Sequence, residues 1–115
     1  MTNRAPNINQ ITISGNLVRK PEVQYVGEND TALCKITLAN NRSYLDKNKD
    51  WQQDTTFVDC EIWGTLAERV EKKADKGAPV IVEGVLKQDT WEDKDGNSRS
   101  KLLVRTQKIH LLKQT

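Results

Sequence analysis

Residues 55–77, TTFVDCEIWGTLAERVEKKADKG, decide the fold. From Thr55 to Trp63 the side chains alternate, with Val58, Cys60 and Ile62 on an inner parity and Phe57, Asp59, Glu61 and Trp63 on an outer one, the period of a half-buried strand. The pattern then changes at Gly64. Gly64 to Gly77 is the only helical pattern in the chain: Thr65 and Glu68 have capping-box spacing, Leu66 and Val70 share a face, and Gly77 suits the terminating position. A strand feeding one short helix is therefore expected at the centre of the chain.

Strand patterns extend on both sides of this unit. Upstream, Ile8 to Arg19 alternates, with Ile11, Ile13 and Leu17 on one parity. Pro21 interrupts it, and Glu22 to Val26 reads as a short continuation ending at the turn Gly27 to Asp30. Thr31 to Ala39 sets Ala32, Cys34, Ile36 and Leu38 against Leu33, Lys35 and Thr37, which makes Cys34 a core thiol. The polar stretch Asn40 to Asp54 reads as a long hairpin loop. Downstream, Pro79 to Trp91 alternates again, Glu92 to Ser98 holds the hairpin signal Asp95-Gly96, and Lys101 to Leu112 is the last strand, with an apolar parity that shifts after Thr106.

The expected order is three strands, one helix, two strands, with Gly15 and Gly84 inside long strands. Interior glycines suit a strongly curved small barrel. The order matches the all-β, five-stranded OB barrel with one short helix between strands three and four, a fold that binds oligonucleotides on one face. Periodicity alone also permits two sheets packed as a sandwich.

Composition bounds the rest. The 115 residues allow one domain spanning 1–115. No apolar run approaches the ~20 residues of a membrane span, and Met1 to Asn7 shows no secretory pattern, so a cytoplasmic location is expected. Two cysteines and one histidine are too few for a four-ligand zinc site, so no metal or other cofactor is expected. The net charge of +2 is modest, but it is unevenly spread: all sixteen acids lie between Glu22 and Asp95, leaving Met1 to Lys20 and Arg99 to Thr115 purely basic.

Aromatic placement carries the functional signal. Phe57, Trp63 and Trp91 share parity with charged residues instead of the aliphatic core. Tyr44 and Trp51 accompany Arg42, Lys47 and Lys49 in the polar stretch. Rings interleaved with cations suit stacking of unpaired bases with phosphate neutralisation. The alternative is a second core layer or a subunit interface, since large rings are mostly buried. Catalytic readings find no support: Asp59 and Glu61 lack the further oxygens of a Mg²⁺ site, Cys60, imagined as a nucleophile with His110 as base, lies on the apolar parity with no nucleophile elbow, and no phosphate-cradling glycine loop occurs. No enzymatic activity is expected.

The residues also resemble a known family, the bacterial single-stranded DNA-binding proteins. The resemblance rests on Ser14-Gly-Asn-Leu17 with Pro21 to Tyr25, Ile36 to Asn40, Glu61 to Glu68, Lys76-Gly77 through Val82-Glu-Gly84, and Asp89 to Gly96, in order across Ile8 to Leu112. It implies an OB barrel, a homotetramer (a dimer of dimers) and non-catalytic, sequence-tolerant binding of single-stranded DNA in replication, recombination and repair at the nucleoid. Its base-stacking rings fall on Tyr44, Phe57, Trp63 and Trp91, and its cationic contacts on Lys47, Lys76, Lys87 and Arg99. Where the family commonly has His and Arg after the ring at Phe57, this chain has Val58 and Asp59; where it often has a basic pair before Trp91, this chain has Asp89 and Thr90. The first departure alters the expected subunit contact and removes a cation, and the second implies weaker or more salt-sensitive binding. The family's usual flexible tail with an acidic tip has no counterpart before Thr115, so tail-mediated protein partners are not expected. A truncated chain and a tailless relative in primosome assembly or RNA binding both fit that, and a structural OB oligomerisation module is the reading from another class.

Overall fold

A computed structural model describes residues 5–113. The elements are β1 (Ile11–Leu17), β2 (Val23–Val26), β3 (Thr31–Leu45), β4 (Trp51–Trp63), α1 (Thr65–Lys73), β5 (Pro79–Glu92) and β6 (Ser98–Leu111). The strand order β1-β5-β6-β4-β3-β2, with an added β1–β3 pairing, closes β1, β3, β4, β5 and β6 into a barrel. This is the all-β OB barrel the sequence predicts, and closure excludes the open sandwich. β2 extends the first strand beyond the buried Pro21 and pairs with β3 from Val23↔Cys34 to Val26↔Thr31.

Closure depends on β1, which pairs with β5 along Ile11↔Gly84 to Asn16↔Pro79 and with β3 at Asn16↔Ala39 and Leu17↔Leu38. β4 and β6 meet in parallel at Cys60↔Val104 and Glu61↔Arg105. β5 and β6 lie close together at Gly84, where a Cβ would collide with the Arg105 carbonyl oxygen. Any side chain there would drive the backbones apart. The inner parity of every strand fills the barrel: Leu17, Ile36, Leu38, Cys60, Ile62, Val80, Val82 and Val104 are buried, and α1 adds Ala67 and Val70.

The parity shift in the last strand has a local cause. Glu83 pairs with Lys108 but Gly84 pairs with Thr106, so Gln107 is an extra residue in a β-bulge. Beyond it the buried positions move from Val104 and Thr106 to Ile109.

The structure corrects three local expectations. Asn40 to Asp54 is not a long loop: β3 runs on to Leu45, β4 begins at Trp51, and the ladder continues from Asn40↔Thr56 to Leu45↔Trp51. This arm projects past the barrel with most residues on both faces exposed, so it carries no apolar alternation to read. The Thr65–Glu68 capping box does not form. Gly64, with φ 71°, takes the N-cap position and Thr65 is the first helical residue; the Glu68 carboxylate instead accepts the Tyr25 hydroxyl at 3.1 Å. The helix ends at Lys73, and Gly77, with φ 84°, turns the chain and donates its N–H to the Leu17 carbonyl at 2.8 Å. Among the described residues no helix is long and apolar enough to cross a membrane.

Candidate nucleic-acid interface

The outer parity of β4 places Phe57, Asp59, Glu61 and Trp63 along one exterior stripe. Two ion pairs show that β5 and β6 continue this face. Lys87 on β5 donates to Glu61 at 3.1 Å, and Lys101 on β6 donates to Asp59 at 3.4 Å. Trp91 lies two and four residues beyond Asp89 and Lys87 on the same parity and pairs with Arg99. The three rings of the parity anomaly therefore border one continuous surface. Phe57 is 66% and Trp91 46% exposed. Trp63 is half-buried, and its indole N–H is buried with no hydrogen-bond partner among the described residues.

The arm holds the other predicted aromatics. Trp51 is 71% exposed and shares the parity of Phe57 and Trp63. Tyr44 pairs with Gln52 and Arg42 with Asp54, so both lie on the opposite face, where the Arg42 guanidinium sits 5.1 Å from the Tyr44 ring centroid. The structure thus divides the predicted ring set between the two faces of the arm. Lys47 and Lys49 are exposed at its tip, and Lys76 is exposed in the turn after α1.

The two hairpin tips are built alike. In 46–50 the Asp46 Oδ1 accepts the N–H groups of Asn48 and Asp50, and in 93–97 the Asp93 Oδ1 accepts those of Asp95 and Asn97. Both carry a left-handed residue at the fourth position, Lys49 with φ 62° and Gly96 with φ 79°. The backbone N–H of Asp50 above all holds the Asp46 carboxyl below its ordinary range, and the Arg99 guanidinium, 2.9 Å away, does the same for Asp93.

Sequence reasoning placed Asp59 and Glu61 on this face but missed their pairing with its lysines. Glu61, on an exposed parity, is only 4% accessible; its bond to Lys87 raises the Lys87 pKa, with Asp89 a weaker second carboxylate at 3.5 Å. Asp59 is held below the usual carboxylate range first by the Thr37 hydroxyl, which donates at 2.7 Å, and then by Lys101. Lys101 itself escaped the predicted set. Counting outward from the Asp95-Gly96 turn would have set it opposite Asp89, its register partner.

Burial above all pushes the Cys60 thiol up to about 12, so it is not a thiolate near neutral pH. His110 bonds Glu83 at 2.6 Å instead. Among the described residues no group of three or more His, Cys, Asp or Glu side chains could hold a metal ion.

A closed OB barrel carrying rings and cations on one outer face defines a class of nucleic-acid-binding module. Residues 8–112 match the single-strand binding protein family, and the chain belongs to that family. It is 33% identical over 107 residues to single-stranded DNA-binding protein 2 of Chlorobaculum tepidum, covering 93% of this chain and 72% of the relative. It is 38% identical over 109 residues to single-stranded DNA-binding protein 1 of Synechocystis, covering 92% and 84%. Against the single-stranded DNA-binding protein of Deinococcus radiodurans it is 33% identical over 105 residues, covering 91% of this chain but 34% of that one.

Proposed function

We propose that this chain, folded as one domain, binds single-stranded DNA without catalysis and with broad sequence tolerance, protecting strands exposed in replication, recombination and repair. The carrying observation is the run of Phe57, Trp63 and Trp91 around one barrel face with Lys87 and Lys101 between them. Unpaired bases stack on such rings whatever their sequence, and duplex DNA offers no free faces. Trp51 and Tyr44 extend the stacking surface along the arm, with Arg42, Lys47 and Lys49 beside them. Lys76, Lys87 and Arg99 supply further phosphate contacts, Lys87 through the ammonium hydrogens left over from Glu61 and Arg99 after exchange with Asp93.

Self-association as a tetramer belongs to the same reading. Leu86 and Leu102 are exposed around a cleft that Ile11, Ile13 and Val58 also line, an apolar patch suited to a second copy. Cytoplasmic action at the nucleoid follows from the proposed ligand.

Titration with oligo-dT at low salt, read by tryptophan fluorescence, tests the function. Stacking on Trp63, Trp91 or Trp51 quenches the emission, and added salt reverses it as phosphate contacts weaken. Unchanged fluorescence together with no shift in oligonucleotide anisotropy would refute the reading.

A further inference from the structure

A recessed pocket opens in the middle of the ring-bordered face, lined by Arg19, Lys35 and Lys101 and by Asp59, Glu61 and Asp89. Three cations face three carboxylates there. Glu61 is committed to Lys87 and is buried. Asp59 and Asp89 are different: their side chains are 46% and 38% exposed. A carboxylate has about four acceptor positions. Asp59 uses one oxygen for the Thr37 hydroxyl and the other for Lys101, while Asp89 makes one long contact to Lys87. Both keep acceptor capacity facing solvent.

The rings set what can reach these oxygens. Asp59 is two residues from Phe57, and Asp89 two residues from Trp91, on the same strand faces. Such neighbours are roughly 7 Å apart, so a base stacked on either ring brings its polar edge over the pocket. What the spare acceptors require is a neutral group with N–H donors. Guanine presents two adjacent donors, N1–H and the 2-amino group, which match the two oxygens of one carboxylate. Thymine presents a single N3–H between two carbonyl oxygens, which a carboxylate repels.

We infer that Asp59 and Asp89 read base edges, giving the otherwise tolerant surface a bias toward guanine over thymine. This rests on single-stranded DNA being the ligand.

The test compares, by competition anisotropy, an all-thymine oligonucleotide with one of equal length in which isolated guanines replace every third thymine. Wild type should bind the guanine-bearing strand at least about fivefold tighter, the lower end for a two-donor base contact. Asp59→Ala and Asp89→Ala should each bring that ratio toward one while tightening the all-thymine complex, because a like charge has left the face. Asp59→Asn, which keeps the shape but halves the carboxylate's acceptors, should give an intermediate ratio and guards against loss of fold. A wild-type ratio of one, or a ratio unmoved in both alanine variants, would overturn the assignment. Failure to bind either strand would instead remove the single-stranded DNA reading beneath it.

Discussion

The Nζ of Lys87 lies 3.1 Å from the Oε1 of Glu61, and the carboxylate side of this pair is almost wholly enclosed, at 6% side-chain exposure. The pair ties β5 to β4 across the intervening β6 and fixes a cation in the middle of the ring-bordered face. Removing the lysine alone strands a buried charge, whereas neutralising both partners does not. Lys87→Met should therefore lower the urea midpoint, and Lys87→Met with Glu61→Gln should recover most of the loss. Additive losses in that double-mutant cycle would mean that the two groups do not depend on one another.

Ring truncations separate the stacking surface from the rest of the molecule. Trp63→Ala and Trp91→Ala should each weaken oligo-dT binding by ~1 to 3 kcal/mol. Tyr44→Ala should cost less, because Tyr44 faces away from the stripe that holds Phe57 and Trp63. Full affinity in both tryptophan variants with folding intact, combined with dissociation on light scattering, would place those rings between subunits.

Lys49 sets stability against binding. It holds a left-handed conformation, φ 62°, where the matching tip has Gly96. Lys49→Gly should raise stability by roughly 0.5 to 1 kcal/mol in urea denaturation, the relief of the Cβ clash less the entropy glycine gains when unfolded. The same change should make the slope of log K against log salt shallower by about 0.7, the share of one phosphate contact to a single strand. An unchanged slope would place Lys49 outside the contact.

The paired hairpin aspartates predict an acid limb. Asp46 and Asp93 have folded pKa values below the ordinary 3.8. Their stabilising contribution is therefore complete above that value and is lost as the pH falls through it toward the lowered folded values. Urea midpoints followed downward from neutral pH should drop in this window. Asp93→Asn should start lower at neutral pH and drop less on acidification. An equal drop in both proteins would locate the acid sensitivity elsewhere, as at Asp59 or Glu83, whose carboxyls are also held low.

The barrel was legible because its strands bury one face each, so the alternation at Ile11 to Leu17, Thr31 to Ala39 and Thr55 to Trp63 marked core positions directly. The arm beyond Ala39 was not, since a ribbon solvated on both sides imposes no apolar period. The parity shift after Thr106 was visible in the sequence, but its cause, one unpaired residue, needed the register of β5 against β6. The outward rings were legible for the same reason as the core, as violations of its pattern. The pairing of Lys87 with Glu61 and of Lys101 with Asp59 was not, because these groups meet only once β4, β6 and β5 lie side by side.

The bulge at Gln107 divides the last strand into two halves with separate duties. Ahead of it, Arg99, Lys101 and Arg105 belong to the surface shared with Trp91; behind it, Ile109 and Leu111 are turned inward to seal the barrel against β5. Were Gln107 paired regularly with Glu83 instead of bulged out, Lys108 and His110 would take those inward places. The fold therefore contains a natural graft point: the outer halves of β5 and β6, with their tip, can exchange their sequence for another ligand's needs while the sealing halves stay as they are.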